Sequence, residues 1–483
     1  MNGPLRRLAV ACLLLFALLL VNVNYVQVVE AGRLNGNPHN SRVLLATYAR
    51  QRAPILIGSR ELARSVPTTD QLKYLRSYPG GALYAPATGF FSLLYGATGI
   101  EAAENSILSG NDDRLFVRRI GDYLTGRTPQ GGAVLLTLNP AAQAAAGRGL
   151  AGKRGAVVAL DPTTGAILAL ATSPSYDPNL LSGHDATAIR SAYSRLSADP
   201  GQPLVDRAIS QTYPPGSLFK VVTAAAALSS GRYTPDTSVP APTALKLPLT
   251  NRYLSNFGGE SCGNGSTDTL ADALRISCNT AYAGIGLSLG GNALRDQAEA
   301  FGLDAGLSVP LPVAASRFPA QLDAPQTALS AIGQFDVRIT PLQAAMIAAG
   351  VANGGVVMRP YLVQEIQTPD LATLDLAKPT ELRRAISAQV AAELTTMMRL
   401  VVDAGTGTAA QIPGVPVAGK TGTAQHATGQ PPHAWFIGFA PADHPRVAVA
   451  VLVEDGGGLG SDATGGRVAA PIARDVMAAV LAR

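Results

Sequence analysis

The chain has 483 residues, of which 47% are hydrophobic and 15% charged; that is enough for about two or three domains and too apolar for a disordered protein. A formal net charge of +5 is a weak field over this length and gives no footprint for nucleic acid, and three cysteines exclude a disulfide-dense scaffold or a four-cysteine zinc site. Only six of the 38 basic residues are lysine (Lys73, Lys153, Lys220, Lys246, Lys378 and Lys420), so a chain that otherwise uses arginine has chemical reasons for the amines it keeps.

The stretch 8–29 is apolar and uncharged, preceded by Arg6 and Arg7. As a helix it spans about 33 Å, enough to cross a bilayer core. The arginines place the tail 1–7 in the cytoplasm and the remainder outside it. A cleaved signal peptide ending near Ala31 is the rival reading. Cys12 within this helix reads as a small apolar residue.

From 31 to 132 the pattern is irregular: a strand-like piece ends at Ile57, a Pro/Gly turn falls at 78–81, and a polar helical stretch covers 100–105. No cluster of catalytic residue types appears there. From 133 onward the order increases. Apolar runs at 155–160 and 166–171 flank a Pro/Gly turn and read as a hairpin, and 434–439 with 446–453 repeat the theme. Between the hairpins lie helical patterns at 217–228, 268–276, 281–289, 341–352 and 388–402, with a closing helix at 468–481. Strands at both ends of this region, with helices between them, imply one α/β domain whose sheet is completed by its last strands.

Three short motifs stand out. Ser217 opens an apolar helix after Tyr213-Pro214-Pro215-Gly216, and Lys220 lies three residues on, on the same face. Burial lowers the pKa of such a lysine, which lets its amine take a proton from the serine; arginine could not do this. Ser277-Cys278-Asn279 places a hydroxyl and an amide two positions apart, and taken alone it equally suits a loop or a cap. Lys420-Thr421-Gly422-Thr423 is the most specific of the three, because lysine is scarce; an ammonium and hydroxyls along one edge suit a carboxylate.

Ser-x-x-Lys, Ser-x-Asn and Lys-Thr-Gly in this order resemble the signature of penicillin-binding proteins and serine β-lactamases. The chain resembles class B penicillin-binding proteins, the monofunctional peptidoglycan D,D-transpeptidases, in their short actinobacterial form. The likeness extends to Asn37-Pro38-His39-Asn40-Ser41-Arg42, Gly165, Gly333-Gln334, Thr340-Pro341-Leu342-Gln343, Ala352-Asn353-Gly354-Gly355 and Trp435-Phe436-Ile437-Gly438. It implies a mixed α/β transpeptidase domain over 133–483, with a central antiparallel sheet flanked by helices. A small irregular α+β module over 31–132, pedestal or dimerisation-like, and one transmembrane helix would precede it.

In that family frame Ser217 is the acyl-enzyme nucleophile, Lys220 its general base and Ser277 a proton relay. Asn279 holds the donor peptide amide. Lys420, Thr421 and Thr423, with Gly422 between them, bind the terminal carboxylate of D-Ala-D-Ala, and the N–H groups of Ser217 and Thr423 form the oxyanion hole. The implied partners are peptidoglycan stem peptides and their lipid-linked precursor, β-lactams, and a membrane-embedded glycosyltransferase or division and elongation proteins; nucleic acid is not among them. No metal or nucleotide cofactor has a motif. The module 31–132 is too short for a glycosyltransferase domain, and no accessory repeats are expected after the final helix.

His426 and His433 read as solvent-facing or packing residues. Outside the cytoplasm Cys262 and Cys278 can pair, closing a loop of about fifteen residues worth roughly 3 kcal/mol, or remain two free thiols. Two rival functions share some of these motifs. A D,D-carboxypeptidase or β-lactamase would give the acyl group to water, although no Glu-x-x-Leu-Asn segment lies between the second and third motifs. A non-catalytic β-lactam sensor or cell-wall scaffold would tolerate loss of motif residues, and here all three motifs are complete.

Overall fold

The computed structural model describes residues 2–30, 47–126, 130–426 and 429–482. The segment 37–42 and the start of the amino-terminal module at Ala31 lie outside these residues. Helix α1 (Asn2–Asn24) runs into a π-helical turn at Tyr25–Val29. The stretch Gly3–Val29, at 27 residues with hydropathy 2.3 and no part buried, is long and apolar enough to cross a membrane.

The carboxyl-terminal body is built on a five-stranded sheet. Strands β1 (Gly155–Leu160) and β2 (Ile167–Ser173) form the first expected hairpin, and β3 (Ala418–Ala424), β4 (His433–Ala440) and β5 (Val447–Val453) follow late in the chain. The order is β3-β4-β5-β1-β2, antiparallel throughout, so β3 is an edge strand. Strands β1, β4 and β5 read as nearly unbroken apolar runs because both faces are covered. Alternate residues divide between two cores: Val157, Ala159, Phe436, Val449 and Val451 face one, while Ala156, Val158, Trp435, Ala450 and Leu452 face the other.

The helices that frame the sheet and the site are α2 (Pro140–Gly149), α3 (Lys220–Ser229), α4 (Asn279–Leu289), α5 (Pro341–Ala352), α6 (Ala388–Ala404) and α7 (Gly465–Leu481). Helices α2 and α7 cover one face of the sheet; α5 covers the other, with α6 against β3 and α3 packed behind. The helix expected from Ser217 is divided. A 3-10 turn, Gly216–Phe219, comes first, and the α-helix begins at Lys220. Residues Lys220 to Leu228 are all buried, as an all-apolar helix requires.

The amino-terminal module has a six-stranded sheet in the order Thr373–Leu376, Val363–Gln367, Ala133–Leu136, Ile55–Ile57, Arg60–Pro67, Tyr74–Ser77. Ala133–Leu136, just past the boundary drawn after Gly132, pairs in parallel with Ile55–Ile57 and antiparallel with Val363–Gln367. Chain from far beyond that boundary therefore finishes this sheet. The polar stretch at 100–105 conceals a buried carboxylate. Glu101 accepts from Arg52 Nε at 2.5 Å, Arg76 Nε at 2.6 Å and Tyr78 OH at 3.1 Å. Burial works against its charge, but Arg76 and Arg52 outweigh that and hold the carboxyl below its usual range.

Removing Glu101 leaves two buried guanidiniums without their counter-ion. Glu101→Ala is expected to destabilise the fold by about 3–5 kcal/mol, read as a lower midpoint in urea unfolding of the detergent-solubilised chain. An unchanged midpoint would show that the triad carries no stability.

Candidate active site

Three chain segments meet beside the edge strand. The first is the turn that presents Ser217. Tyr213 exchanges both backbone hydrogen bonds with Ile339 at 2.9 Å, Trp435 Nε1 donates to Pro214 O at 3.0 Å, and Gly216 N donates to Gly333 O at 2.9 Å. Gly216 sits at φ +55, where a Cβ would meet Thr423 O at 2.7 Å, so only glycine brings the turn this close to β3. Gly422 answers it from the strand, with a Cβ position 2.9 Å from Pro215 O. Ser217 itself is partly exposed, between buried Gly216 and Leu218.

The second segment is the Ser277-Cys278-Asn279 turn. The helix Leu270–Arg275 ends with Cys278 N donating to Ala273 O at 2.8 Å and Ser277 N to Leu274 O at 3.2 Å, the two closing bonds of a Schellman motif. Glycine usually holds the left-handed position of that motif, but here Ser277 does, at φ +66. The strained backbone aims its hydroxyl into the cleft. Asn279 is the first residue of α4, whose end is capped from outside: Asn256 Oδ1 accepts from Asn279 N at 2.9 Å and Thr280 N at 3.1 Å. The side chain of the N-cap residue, Cys278, is instead joined to Cys262 in a disulfide, across a sequence separation of 16.

The third segment is β3, carrying Lys420, Thr421, Gly422 and Thr423. Thr421 Oγ1 lies 2.6 Å from Thr406 Oγ1, and Thr423 is partly exposed.

The two lysines join these segments. Lys220 and Lys420 each have 0% relative exposure. Lys220 Nζ donates to Ser277 O at 2.6 Å, Asn279 Oδ1 at 2.7 Å and Ser277 Oγ at 3.2 Å. Lys420 Nζ donates to the same Ser277 Oγ at 2.9 Å and to Thr421 O at 3.0 Å. Burial pushes the Lys220 amine well below the usual lysine range, and the charge of Lys420 adds to the effect. Burial alone brings Lys420 down to about 7. Among the described residues neither amine has a carboxylate partner, so an amine that is protonated there has no counter-ion and suits an anion.

Spacing put the Ser217 hydroxyl and the Lys220 amine on one face, but among the described residues they share no hydrogen bond. The amine's donors are taken by the second motif. Asn256 and Thr406 escaped the sequence reading, since neither lies in a motif and both act across long separations. Glu454 also escaped it: it accepts from Arg207 Nε and Tyr213 OH, each at 2.8 Å, and so braces the segment that leads into Ser217. His433 packs edge-on against Tyr213, and burial followed by the neighbouring His426 brings its pKa down to about 4.

This geometry has close counterparts among known proteins. Residues 155–478 match the penicillin binding protein transpeptidase domain and residues 52–134 the penicillin binding protein A dimerisation domain. The chain belongs to the penicillin-binding transpeptidase family. It is 51% identical over 490 residues to the peptidoglycan D,D-transpeptidase PbpA of Mycolicibacterium smegmatis, covering 100% of this chain and 99% of that one. It is 49% identical over 494 residues to the PbpA of Mycobacterium tuberculosis, with the same coverage of both chains, 100% and 99%. Penicillin-binding protein A from M. tuberculosis, solved as a ceftriaxone acyl-enzyme complex, superposes with a TM-score of 0.88 at 48% identity, over 90% of this chain and 100% of that one. Its penicillin G acyl-enzyme complex gives 0.85 at 48% identity, over 89% and 100%.

With Cys262 and Cys278 paired, intact-mass alkylation of the unfolded chain without reductant is expected to add a single label, at Cys12. Cys262→Ser with Cys278→Ser is expected to cost about 3 kcal/mol of stability. Three labels without reductant would contradict the pairing.

Proposed function

We infer that the chain is a serine-type peptidoglycan D,D-transpeptidase that β-lactams acylate. The observation that carries this is the pair of carboxylate-free buried lysines on Ser277, beside a partly exposed serine in the 3-10 turn that leads into the helix of one of them.

In this reading Ser217 Oγ attacks the carbonyl between the two terminal D-alanines, and neutral Lys220 takes its proton. The tetrahedral oxyanion sits between the N–H groups of Ser217 and Thr423, and β3, as an edge strand, has backbone groups free to face it. Its collapse breaks the peptide bond. Ser277, hydrogen-bonded to both amines, passes a proton to the departing D-alanine amine. The ester on Ser217 is then attacked by the amine of a neighbouring stem peptide, forming the cross-link and restoring the hydroxyl. Protonated Lys420, with Thr421 and Thr423, holds the terminal carboxylate, Gly422 lets the strand approach, and Asn279 holds the donor amide. A β-lactam follows the same attack, but its leaving amine stays tethered.

The reading also places α1 in the cytoplasmic membrane of a bacterium as an uncleaved anchor, Arg6 and Arg7 inside and the catalytic body outside. The amino-terminal module then serves as a pedestal toward a membrane glycosyltransferase or division and elongation proteins.

Labelling with a fluorescent penicillin tests the centre of the proposal. Ser217→Ala is expected to abolish labelling, and equal labelling would remove Ser217 from its role. An adduct that lasts for hours fits a transpeptidase, whereas turnover within seconds would point to the β-lactamase reading.

The pH profile of acylation is a second test. Lys220 acts as base only when neutral, so the rate rises with pH through its lowered pKa. Lys420 holds the carboxylate only when protonated, so the rate falls above about 7. The two limbs belong to a coupled pair. Lys420→Arg, which keeps its charge, is expected to lose the alkaline fall; if the fall persists, Lys420 is not its source.

A further inference from the structure

Beyond the Lys-Thr-Gly strand, the fold gathers three metal-ligating side chains that the transpeptidase chemistry leaves unused. His426 follows the end of β3, His433 begins β4, and Asp455 lies in the turn after β5. The register of the sheet brings them together, with Ala424 opposite His433 and Ala434 opposite Val453. The nearest ligand atoms of the three all lie within 4.8 Å of one another. His426 Nε2 is 3.2 Å and His433 Nδ1 3.7 Å from the same atom, Asp455 Oδ1.

The rings lie parallel with centroids 3.9 Å apart. The backbone N–H of Asp455 donates to His433 Nδ1 at 3.2 Å, so a lone pair of that ring faces Asp455. His426 and Asp455 are partly exposed, which leaves an entry path and room for water in an open coordination position. Bonds of about 2.0–2.2 Å require the donors to draw in around an ion, and the partly exposed His426 side chain can make that movement.

We propose that His426, His433 and Asp455 form a binding site for a borderline transition-metal cation of the Zn2+ class. Two imidazoles and one carboxylate suit such an ion, whereas Mg2+ and Ca2+ prefer oxygen donors throughout. The ion displaces the weak backbone donor from His433 and ties the end of the Lys-Thr-Gly strand to the turn after β5. Glu454, the neighbour of Asp455, holds Tyr213 and Arg207, so the clamp reaches the segment that leads into Ser217. Arg154 approaches Asp455 Oδ2 at 3.9 Å, leaving Oδ1 for the ion.

The test uses the detergent-solubilised full chain carrying Cys12→Ser, which removes the free thiol in the described residues. Zn2+ is titrated in competition with a chromogenic zinc indicator. One equivalent is expected to bind, with affinity lowered at least tenfold by His426→Ala or by Asp455→Asn. His184→Ala is the control; that ring pairs with Asp70 and is expected to leave binding unchanged. Thermal unfolding without metal checks that each variant is folded, and added Zn2+ is expected to raise the midpoint of the parent chain but not of His426→Ala. Absence of stoichiometric binding, equal binding by folded His426→Ala and Asp455→Asn, or loss in His184→Ala alone would each overturn the proposal.

Discussion

Lys220 and Lys420 both reach Ser277 Oγ from fully buried positions, and the rest of the site is arranged around that shared hydroxyl. Taking an ammonium out of water is costly, and two together repel each other as well. Among the described residues no carboxylate relieves them, so the pair favours releasing a proton. One amine is thereby available to accept a proton while the other can carry charge. In the proposed reading a negatively charged substrate end would supply the missing counter-ion.

Holding that arrangement requires three distant pieces of chain to be fixed independently. Buried Lys220 is carried on a helix with no freedom to turn, since its other residues through Leu228 are buried too. Ser277 is aimed by a left-handed backbone, and the turn around it is secured by the disulfide and by the cap from Asn256. Lys420 is held in the register of an edge strand, which the Gly216–Gly422 approach brings against the turn that carries Ser217. Each device is local, but they converge on one oxygen atom.

How much of this was legible depended on whether the cause was local. Strands covered on both faces are uniformly apolar, so β1, β4 and β5 could be read directly. The three motifs could be read because scarce lysines stand at chemically meaningful spacings. The 3-10 turn at Gly216–Phe219 was hidden, since an apolar run has the same appearance through either kind of helix. The left-handed Ser277 had no local signal, because glycine is the residue that normally marks such a position. Asn256 and Asp455 became significant only through contacts made by folding. The burial of Glu101 was masked by the polar company it keeps in sequence.

The six-stranded sheet has a consequence for biogenesis. Ile55–Ile57 depends on Ala133–Leu136 for its second neighbour, and that strand in turn on Val363–Gln367. A chain synthesised from its amino terminus therefore delivers the early strands with an unfilled edge, which stays open until Val363–Gln367 has followed. Through that interval the exposed ladder is a template for pairing with other chains. The two halves of the molecule thus mature together, and a fragment cut at the apparent domain border would retain the sticky edge permanently.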